Sequence, residues 1–337
     1  MNSNSKYVAF TLCSNNYLAQ ANVLKESFLK FNPDFEFYIA LVDEFSPEVN
    51  YDLFKPATIV PISQVSGINV NELIQKYDIV EFNTCVKPSF FKYIIQQNKN
   101  AEIIYYIDPD ICFYNSISAL NEQLKTYSIA LTPHIITPIA IDEYLPSESL
   151  FLNYGLYNLG FLGINTKKQN AIKMLDWWEE KTLKLGYNRT EDGLFVDQLW
   201  MNYVPIYYTD SLVLRSFNYN MAPWNLHERS VLEITDNGRV VLNDRSDLVF
   251  YHFSNLSTNR DEISRFYKRF DFTKLPLLKR MYDEYFEKLD KQGYSTLKQI
   301  PIYYALYKKK IEEAKVSAIK KGVLKLISLL EKISRRV

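Results

Sequence analysis

The chain of 337 residues carries 39 basic and 39 acidic side chains, so its overall charge does not indicate a nucleic-acid partner. Hydrophobic residues make up 47% of the chain, which suits one large α/β domain with an appendage, or two domains. Its three cysteines are an odd number without metal-type spacing, which argues against a disulfide framework and favours a reducing compartment.

Neither export nor membrane insertion is expected from the sequence. The first residues lack the basic-then-apolar order of a signal peptide. No stretch approaches the run of about 18 uncharged apolar residues that a transmembrane helix needs. These patterns predict a cytoplasmic protein, with peripheral contact to the inner face of the membrane as an option for its basic end.

The chain begins with a β-α-β pattern. Residues 7–13 and 35–42 are apolar runs that predict buried strands, and residues 17–31 between them have helical spacing after the capping residues 14–16. This order predicts parallel strands joined by a right-handed crossover. The first loop lacks both Gly-x-Gly-x-x-Gly and a Walker lysine, so a dinucleotide or P-loop site is not expected.

Further short elements follow. Residues 58–62 predict a third strand and residues 70–77 a small helix. Asn83 or Thr84 is expected to cap the next helix, whose first turn contains Lys87 followed by proline. Because the helix dipole disfavours a cation there, Lys87 either meets an anion or is a solvated surface residue.

An apolar run at residues 103–107 predicts a strand buried on both faces, and Asp108, Pro109 and Asp110 follow it directly. Pro109 has no N–H for a strand ladder, so the chain turns there. The two carboxylates therefore lie at the end of a buried strand, where open α/β sheets bind ligands, and a hard divalent cation would relieve their repulsion. A plain turn is the alternative, but the position after a buried strand favours a metal site.

The middle of the chain predicts a helix at residues 117–124 and a strand at 128–132. A proline-containing irregular stretch with His134 comes next and is a candidate loop over the site. Residues 153–165 then hold three of the nine glycines, which within a strand indicates close approach by a ligand or another backbone. Residues 168–186 predict a further helix.

Residues 191–200 are expected to open the following helix. Capping is the ordinary explanation for Asp192 at a helix start. Asp197 and Gln198 lie further along among apolar neighbours, where an unpaired carboxylate would be costly, so a functional role is favoured for this pair.

A polar and aromatic segment at residues 218–229 predicts a structured loop, and residues 232–242 predict a β-hairpin. Residues 248–252 predict a strand that ends in His252. A histidine at a strand end is often structural, but beside Asp108 and Asp110 it is the obvious third metal ligand.

The chain is predicted to be helical from residue 273 onward. Residues 308–337 hold ten Lys or Arg and three Glu, a net charge of +7, which leaves −7 on residues 1–307 because the whole chain is neutral. Apolar residues recur among these lysines near helical spacing. Such a helix could lie on an anionic membrane, on the domain itself or on a partner subunit.

Together these elements resemble glycosyltransferases of the GT-A fold, particularly the glycogenin-like and lipopolysaccharide galactosyltransferase-like group. The resemblance covers roughly residues 6–255 and rests on the β-α-β start and on a few motifs, which are Asp108-Pro109-Asp110, residues 158–165, Asp197-Gln198 and His252. It implies an α/β fold with a mixed, mostly parallel sheet flanked by helices. It also implies a transferase domain over residues 1–272 and a helical extension over 273–337.

The resemblance implies that Asp108, Asp110 and His252 hold Mn²⁺ or Mg²⁺ on the diphosphate of a sugar nucleotide, with UDP favoured. Asp197 and Gln198 are the implied catalytic pair beside the sugar and the acceptor. The residues expected to bind the donor are Thr11, Cys13, Asn16, Tyr17, Lys87, Asp108, Asn158, Gly160, Trp224 and Asn225. The chain departs from the family pattern where Ser254-Asn255 replaces the usual Lys-Pro-Trp after the late histidine.

The implied activity is metal-dependent hexosyl transfer to a glycan or lipid-linked acceptor, with retention of anomeric configuration, in bacterial surface polysaccharide synthesis. An inverting enzyme would need a carboxylate base, for which Asp197 and Asp192 are the candidates. Two alternatives are a phosphatase of the haloacid dehalogenase type, which also places Asp-x-Asp after an apolar strand, and a transferase-like scaffold without activity.

Overall fold

The computed structural model describes residues 5–257 and 259–334. The strands are β1 (Tyr7–Cys13), β2 (Phe35–Leu41), β3 (Thr58–Pro61), β4 (Ile103–Ile107), β5 (Ile111–Phe113), β6 (Ile129–Pro133), β7 (Tyr157–Asn165), β8 (Asn188–Arg189), β9 (Leu194–Phe195), β10 (Ser211–Val213), β11 (Val231–Ile234), β12 (Val240–Leu242) and β13 (Phe250–His252). The α-helices are α1 (Leu18–Phe31), α2 (Val70–Lys76), α3 (Ile79–Cys85), α4 (Lys87–Gln97), α5 (Ser118–Leu124), α6 (Glu148–Tyr154), α7 (Gln169–Leu185), α8 (Val204–Tyr207), α9 (Pro276–Lys291), α10 (Tyr294–Leu297) and α11 (Tyr303–Ser334).

A seven-stranded sheet in the order β10-β6-β7-β4-β1-β2-β3 forms the centre of the chain. The pairs β10–β6, β4–β1, β1–β2 and β2–β3 are parallel, whereas β7 runs antiparallel to both of its neighbours. The predicted mixed, mostly parallel sheet is therefore confirmed. Because β4 lies between β1 and β7, its carboxyl end opens at the middle of the sheet.

Both faces of the sheet are buried, which explains the continuous apolar runs of its central strands. Along β4, Ile104 and Tyr106 pack on one side with side chains from α4 and α7. Ile103, Tyr105 and Ile107 pack on the other side with side chains from α1 and α5. This alternation is the two-residue period of a strand, and it fixes the register in which β4 delivers the residues after it.

A second layer packs over the carboxyl end of β4. Strands β5 and β13 pair antiparallel, and β11 and β12 form the predicted hairpin. Helix α9 completes this layer by burying Leu278, Met281, Tyr282, Tyr285, Phe286 and Leu289 in the same apolar cluster. Within the described residues, no helix is both long and apolar enough to cross a bilayer.

The expected helix cap at Asn83 or Thr84 is wrong, because both residues lie inside α3. That helix begins at Asp78, whose side chain accepts hydrogen bonds from the N–H groups of Val80 and Glu81 in a capping box. The next helix, α4, starts independently at Lys87.

The helix expected over residues 191–200 is also wrong. This segment consists of a 3₁₀ turn at Thr190–Asp192, the short strand β9 and a second 3₁₀ turn at Leu199–Tyr203. Gly193 and Val196 have φ values of 69° and 40°, which end any helix that would pass through them. Asp197 therefore projects from irregular backbone and not from a helical turn.

The C-terminal helix α11 starts against the body of the molecule and then leaves it. The Tyr303 N–H donates to Asp43 Oδ1 at 2.9 Å, and Lys308 Nζ donates to the Tyr77 carbonyl at 2.7 Å. Residues 312–325 are all exposed. Of the three environments expected for the tail, the domain itself thus covers only the first turns of the described helix.

Candidate metal and donor site

The pairing of β5 with β13 brings the two aspartates and the late histidine together. Asp108 follows β4 directly, and its N–H donates to the Gly160 carbonyl on β7 at 2.7 Å. The chain turns at Pro109 and enters β5 at Ile111, which lies opposite His252 in the antiparallel ladder. A further hydrogen bond of 2.9 Å, from the Phe253 N–H to the Asp110 carbonyl, connects the end of β13 to the turn before β5.

These three side chains form a ligand set suited to a divalent cation. His252 Nε2 lies 3.0 Å from Asp110 Oδ1 and 3.7 Å from Asp108 Oδ2. One ligand atom from each residue lies within 4.8 Å of the others, and the histidine is buried while both aspartates are partly exposed. Two carboxylate oxygens and one imidazole nitrogen fit Mn²⁺ or Mg²⁺, and the exposed sides of the carboxylates leave room for a ligand.

The electrostatics of the cluster favour an added positive charge. Burial raises the pKa of Asp108, and Asp110 raises it further, although Lys87 and His252 oppose this. Burial lowers the pKa of His252, but the carboxylates of Asp110 and Asp108 outweigh it and the net shift is upward. A bound cation would stabilise the two carboxylates in the way that the positive charges of Lys87 and His252 do for Asp108.

Lys87 is buried and makes an ion pair with Asp197, with 2.6 Å between Nζ and Oδ2. Its Nζ lies 4.1 Å from the centre of the Tyr106 ring, and the Tyr106 hydroxyl donates to Asp108 Oδ1. Of the two predictions for Lys87, the solvated surface residue is wrong. Its partner is an anion, the carboxylate of Asp197.

Gln198 joins two walls of the site through its amide group. Its Oε1 accepts from the Leu159 N–H at 3.0 Å, and its Nε2 donates to the Tyr154 carbonyl at 2.8 Å. This fixes the irregular segment after β9 between β7 and the end of α6. Asp197 is held from the other side, because its carbonyl accepts from Trp178 Nε1 at 2.9 Å.

A cleft of about 610 Å³ opens in front of the metal cluster, a size that suits a small-molecule ligand. Its walls come from the loop after β1, from α3, from the ends of β4 and β7 and from the segment after β9. The predicted site residues that line it are Cys13, Asn16, Tyr17, Lys87, Asp108, Asp110, Gly160, Asp197 and Gln198. Asp192 is exposed and lies outside this lining.

The other predicted donor residues lie behind the cleft. Thr11 is fully buried in β1. Trp224 Nε1 and Asn225 Nδ2 both donate to the His134 carbonyl, at 3.0 and 3.1 Å. Asn158 Oδ1 lies 3.3 Å from His252 Nδ1. In these positions the side chains are packed against the rest of the protein. A direct role of Thr11, Asn158, Trp224 and Asn225 in donor binding stays a prediction.

No protein-family model matches the chain. The chain is 28% identical over 278 residues to YfnF, an uncharacterised protein of Bacillus subtilis (strain 168), and the match spans 81% of this chain and 89% of YfnF. YfnD, an uncharacterised protein of the same strain, is 23% identical over 249 residues, or 72% of this chain and 76% of YfnD.

Among solved structures, the galactosyltransferase LgtC, in complex with donor and acceptor sugar analogues, matches with a TM-score of 0.50 and 14% sequence identity. The match covers 88% of this chain and 97% of LgtC. The chain shares the GT-A fold of LgtC. The fold predicted from the motifs is therefore confirmed.

The GT-A fold disfavours the phosphatase alternative. A haloacid dehalogenase site has its Asp-x-Asp near the start of the chain, whereas here the motif follows β4, the fourth strand. The glycines of β7 leave space for neighbouring side chains. A Cβ on Gly160 would lie 2.4 Å from His252 Cε1, and one on Gly163 would lie 2.6 Å from Tyr105 Cε1. Side chains, and not another backbone, approach both glycines.

Two contributors to this GT-A site could not be picked out as site residues from the sequence. Tyr106 was expected only as part of a buried strand, yet its ring and hydroxyl connect Lys87 with Asp108. His134 was expected in a loop over the site, but it is buried beneath it, with its Nε2 3.4 Å from Asn158 Nδ2. A histidine just after a strand was the only sequence signal for this contact.

Proposed function

We propose that this protein is a metal-dependent glycosyltransferase that moves a hexose from a nucleoside-diphosphate sugar, preferably UDP-linked, to a glycan or lipid-linked acceptor. One observation carries the proposal. The Asp108, Asp110 and His252 side chains converge at the carboxyl end of β4, where the two aspartates line a cleft of about 610 Å³. A role in bacterial surface polysaccharide synthesis belongs to the same proposal and rests on the family resemblance.

Different residues of the cleft are assigned to different parts of the sugar-nucleotide donor. Asp108, Asp110 and His252 would hold the metal, which when bound neutralises the charge that develops on the leaving diphosphate. Asn16 and Tyr17, at the end of the loop after β1, would contact the base and ribose. Lys87 would lie near the diphosphate, where its ammonium has donors to spare for a phosphate oxygen while it keeps its ion pair with Asp197.

We propose retention of anomeric configuration. Asp197 is already in an ion pair with Lys87, and Asp192 lies outside the cleft lining, so neither is placed as a free base beside an acceptor hydroxyl. Gln198 has both ends of its amide bound to backbone. It therefore offers a fixed polar group at the sugar end of the cleft and restricts how donor and acceptor can be oriented.

The remaining assignments are also proposals. We place the transferase domain at residues 1–272 and the helical extension at 273–337. A cytoplasmic location is supported by three buried cysteines, all of which are unpaired. The exposed part of α11 presents Val316, Ile319 and Val323 among its lysines, and we propose that this surface contacts an anionic membrane.

A thermal-shift panel of nucleoside diphosphates and sugar nucleotides tests the donor site, with Mn²⁺ or with chelator. The variants are Asp110→Asn and, as a matched control, Asp236→Asn in the exposed hairpin turn. We expect one nucleotide to stabilise the wild type and Asp236→Asn only with Mn²⁺, and Asp110→Asn to show no such shift. Absence of any nucleotide response in the wild type would rule out the transferase. Anomeric couplings in the NMR spectrum of the product distinguish retention from inversion.

A further inference from the structure

A buried row of polar side chains leads from the metal cluster into the interior. His252 Nδ1 lies 3.3 Å from Asn158 Oδ1, and Asn158 Nδ2 lies 3.4 Å from His134 Nε2. All three residues are less than 10% exposed. We infer that His134 is a positioning residue for the metal ligand His252, acting through the Asn158 amide. The inference rests on the metal site of the proposed function and assigns a role to a residue outside it.

The backbone determines which way the Asn158 amide points. Its Oδ1 accepts a hydrogen bond of 3.2 Å from the Gly160 N–H, which can only donate. The amide NH₂ must therefore face His134, and the ring nitrogen that it meets, Nε2, must accept. By the same argument His252 Nδ1 is the donor to Asn158 Oδ1. One backbone N–H thereby selects the tautomer of both histidines.

This arrangement prepares His252 for a metal. With its proton on Nδ1, the imidazole keeps Nε2, which lies against Asp110 and Asp108, for a bound cation. A ligand histidine is commonly oriented in this way by a partner of its other nitrogen, and such partners typically contribute about 10- to 100-fold to metal affinity or activity. Here that partner is the amide oxygen of Asn158, and the NH₂ group of the same amide donates to the imidazole of His134.

His134 is kept in place by an aromatic cage. Its ring stacks on Phe151 with 4.9 Å between centroids and meets the edge of Trp224 at 5.4 Å. Trp224 also packs against the ring of His252 at 5.2 Å. Burial lowers the pKa of His134 to about 3, so the ring remains neutral and one of its nitrogens can accept a hydrogen bond. Nδ1 makes no hydrogen bond of standard geometry, although the carbonyls of Leu156 and Gly155 favour a proton on the ring.

The first test measures Mn²⁺ binding in the presence of UDP, by the electron paramagnetic resonance signal of free Mn²⁺. His134→Phe keeps an aromatic ring but cannot accept from Asn158, and we expect its Kd for Mn²⁺ to rise about 10-fold. His134→Gln offers an amide oxygen near the position of Nε2, so its Kd should return to within about threefold of the wild type. Tyr38→Phe, which removes a buried hydrogen bond between β2 and Asn98 at the end of α4, should leave the Kd unchanged.

Each outcome of this test has a definite meaning. An unchanged Kd in His134→Phe would overturn the inference while leaving the metal site intact. Equal weakening in His134→Phe and His134→Gln would also overturn it, because packing alone would then explain the effect. Absence of Mn²⁺ binding in the wild type would instead reject the proposed function, and the inference with it.

A second measurement uses the wild-type protein alone, so it does not depend on whether a variant folds. The chain has three histidines, so ¹⁵N-histidine labelling gives a small set of ring signals. With Mg²⁺ and UDP bound, we expect His134 and His252 both to carry their proton on Nδ1, with His227 as the internal reference. A proton on Nε2 of His134 would contradict the orientation of Asn158 and reject the inference.

Discussion

At the scale of single residues, the tight packing around His252 is the most consequential feature of the site. Gly160 lies where any Cβ would contact both His252 and the Asn158 amide oxygen, at 2.4 and 2.8 Å. The glycine therefore leaves space for two side chains of the protein. His252, the proposed metal ligand, and Asn158, its hydrogen-bond partner, both pack beside Gly160, so the imidazole has little freedom to rotate.

Gly160→Ala is expected to displace His252 and weaken Mn²⁺ binding by about 10-fold or more, with a stability loss of about 1–3 kcal/mol. Gly163→Ala is the matched control, because Gly163 lies in the same strand as Gly160 but away from the cluster, and its Cβ would collide with Tyr105 on β4. Metal titration and urea unfolding of both variants separate the two effects. Similar Mn²⁺ affinity in both variants would show that the space beside His252 is not limiting.

His134 should make the stability of the chain depend on pH. Its pKa is about 3 in the folded chain and about 6.5 when unfolded, so between these values only the unfolded state binds the proton. Well above pH 6.5 neither state binds this proton, and the free energy of unfolding is then unaffected by it. As the pH falls below 6.5, proton binding by the unfolded state lowers the free energy of unfolding. Relative to His134→Phe, the wild type should lose about 1 kcal/mol of unfolding free energy between pH 6.5 and 5.5. Parallel pH profiles in urea unfolding would show that His134 is not buried as described.

At the scale of elements, the Lys87–Asp197 pair joins the start of α4 to the irregular segment after β9. Both side chains are less than 5% exposed, so each depends on the other for neutralisation. The contact fixes a segment that has no regular hydrogen-bond ladder of its own along the cleft. Its loss should be felt in folding as well as in donor binding.

Lys87→Met is expected to lower the free energy of unfolding by about 3–5 kcal/mol, because it leaves the Asp197 carboxylate buried without a partner. The double variant Lys87→Met/Asp197→Asn should recover more than half of that loss. Lys6→Met, which removes an exposed pair with Glu102, should not change the urea midpoint measurably. A double variant no better than Lys87→Met alone would mean that the charge of Asp197 is not what destabilises the single variant.

The elements themselves show how far a sequence can be interpreted. The apolar runs of β1, β2 and β4 were predicted because strands buried on both faces leave a continuous pattern. The helix over residues 191–200 was wrong, because Gly193 and Val196 adopt positive φ that composition does not reveal. The Asp78–Glu81 capping box was present in the sequence but was passed over for Asn83 or Thr84. The contact between His134 and Asn158 could not be predicted, since it depends on the register of β6 against β7, which shifts between Leu131 and Thr132.

At the scale of the whole molecule, charge is separated between the body and the C-terminal end. Residues 308–337 carry a net charge of +7 and the rest of the chain −7. The described helix leaves the body after its first turns, and its lysines at positions 309, 310, 315, 320, 321 and 325 are exposed. Residues 312–325 are exposed on all sides, and their apolar side chains have no covering element among the described residues.

Reversing the charge of Lys315, Lys320, Lys321 and Lys325 to glutamate is expected to abolish cosedimentation with phosphatidylglycerol vesicles. The wild type should bind these vesicles at 0.1 M salt, bind less at 0.5 M, and not bind phosphatidylcholine vesicles. The melting temperature should change by less than about 2 °C, because these side chains support no core. Equal binding by both proteins would reject the proposed membrane contact.

The beginning of α11 has a consequence for anyone who shortens or tags this protein. Ile302 lines the donor cleft, and Tyr303 binds the same Asp43 carboxylate that accepts from the Asn15 N–H at 3.2 Å, in the loop after β1. A truncation that removes the chain from residue 302 onward would therefore remove part of the cleft wall, although these residues lie some 290 positions from that loop. Deletions should stop after Lys308, whose bond to Tyr77 secures the first turns. A tag placed after the exposed region would, by contrast, be separated from the body of the protein by the exposed part of the helix.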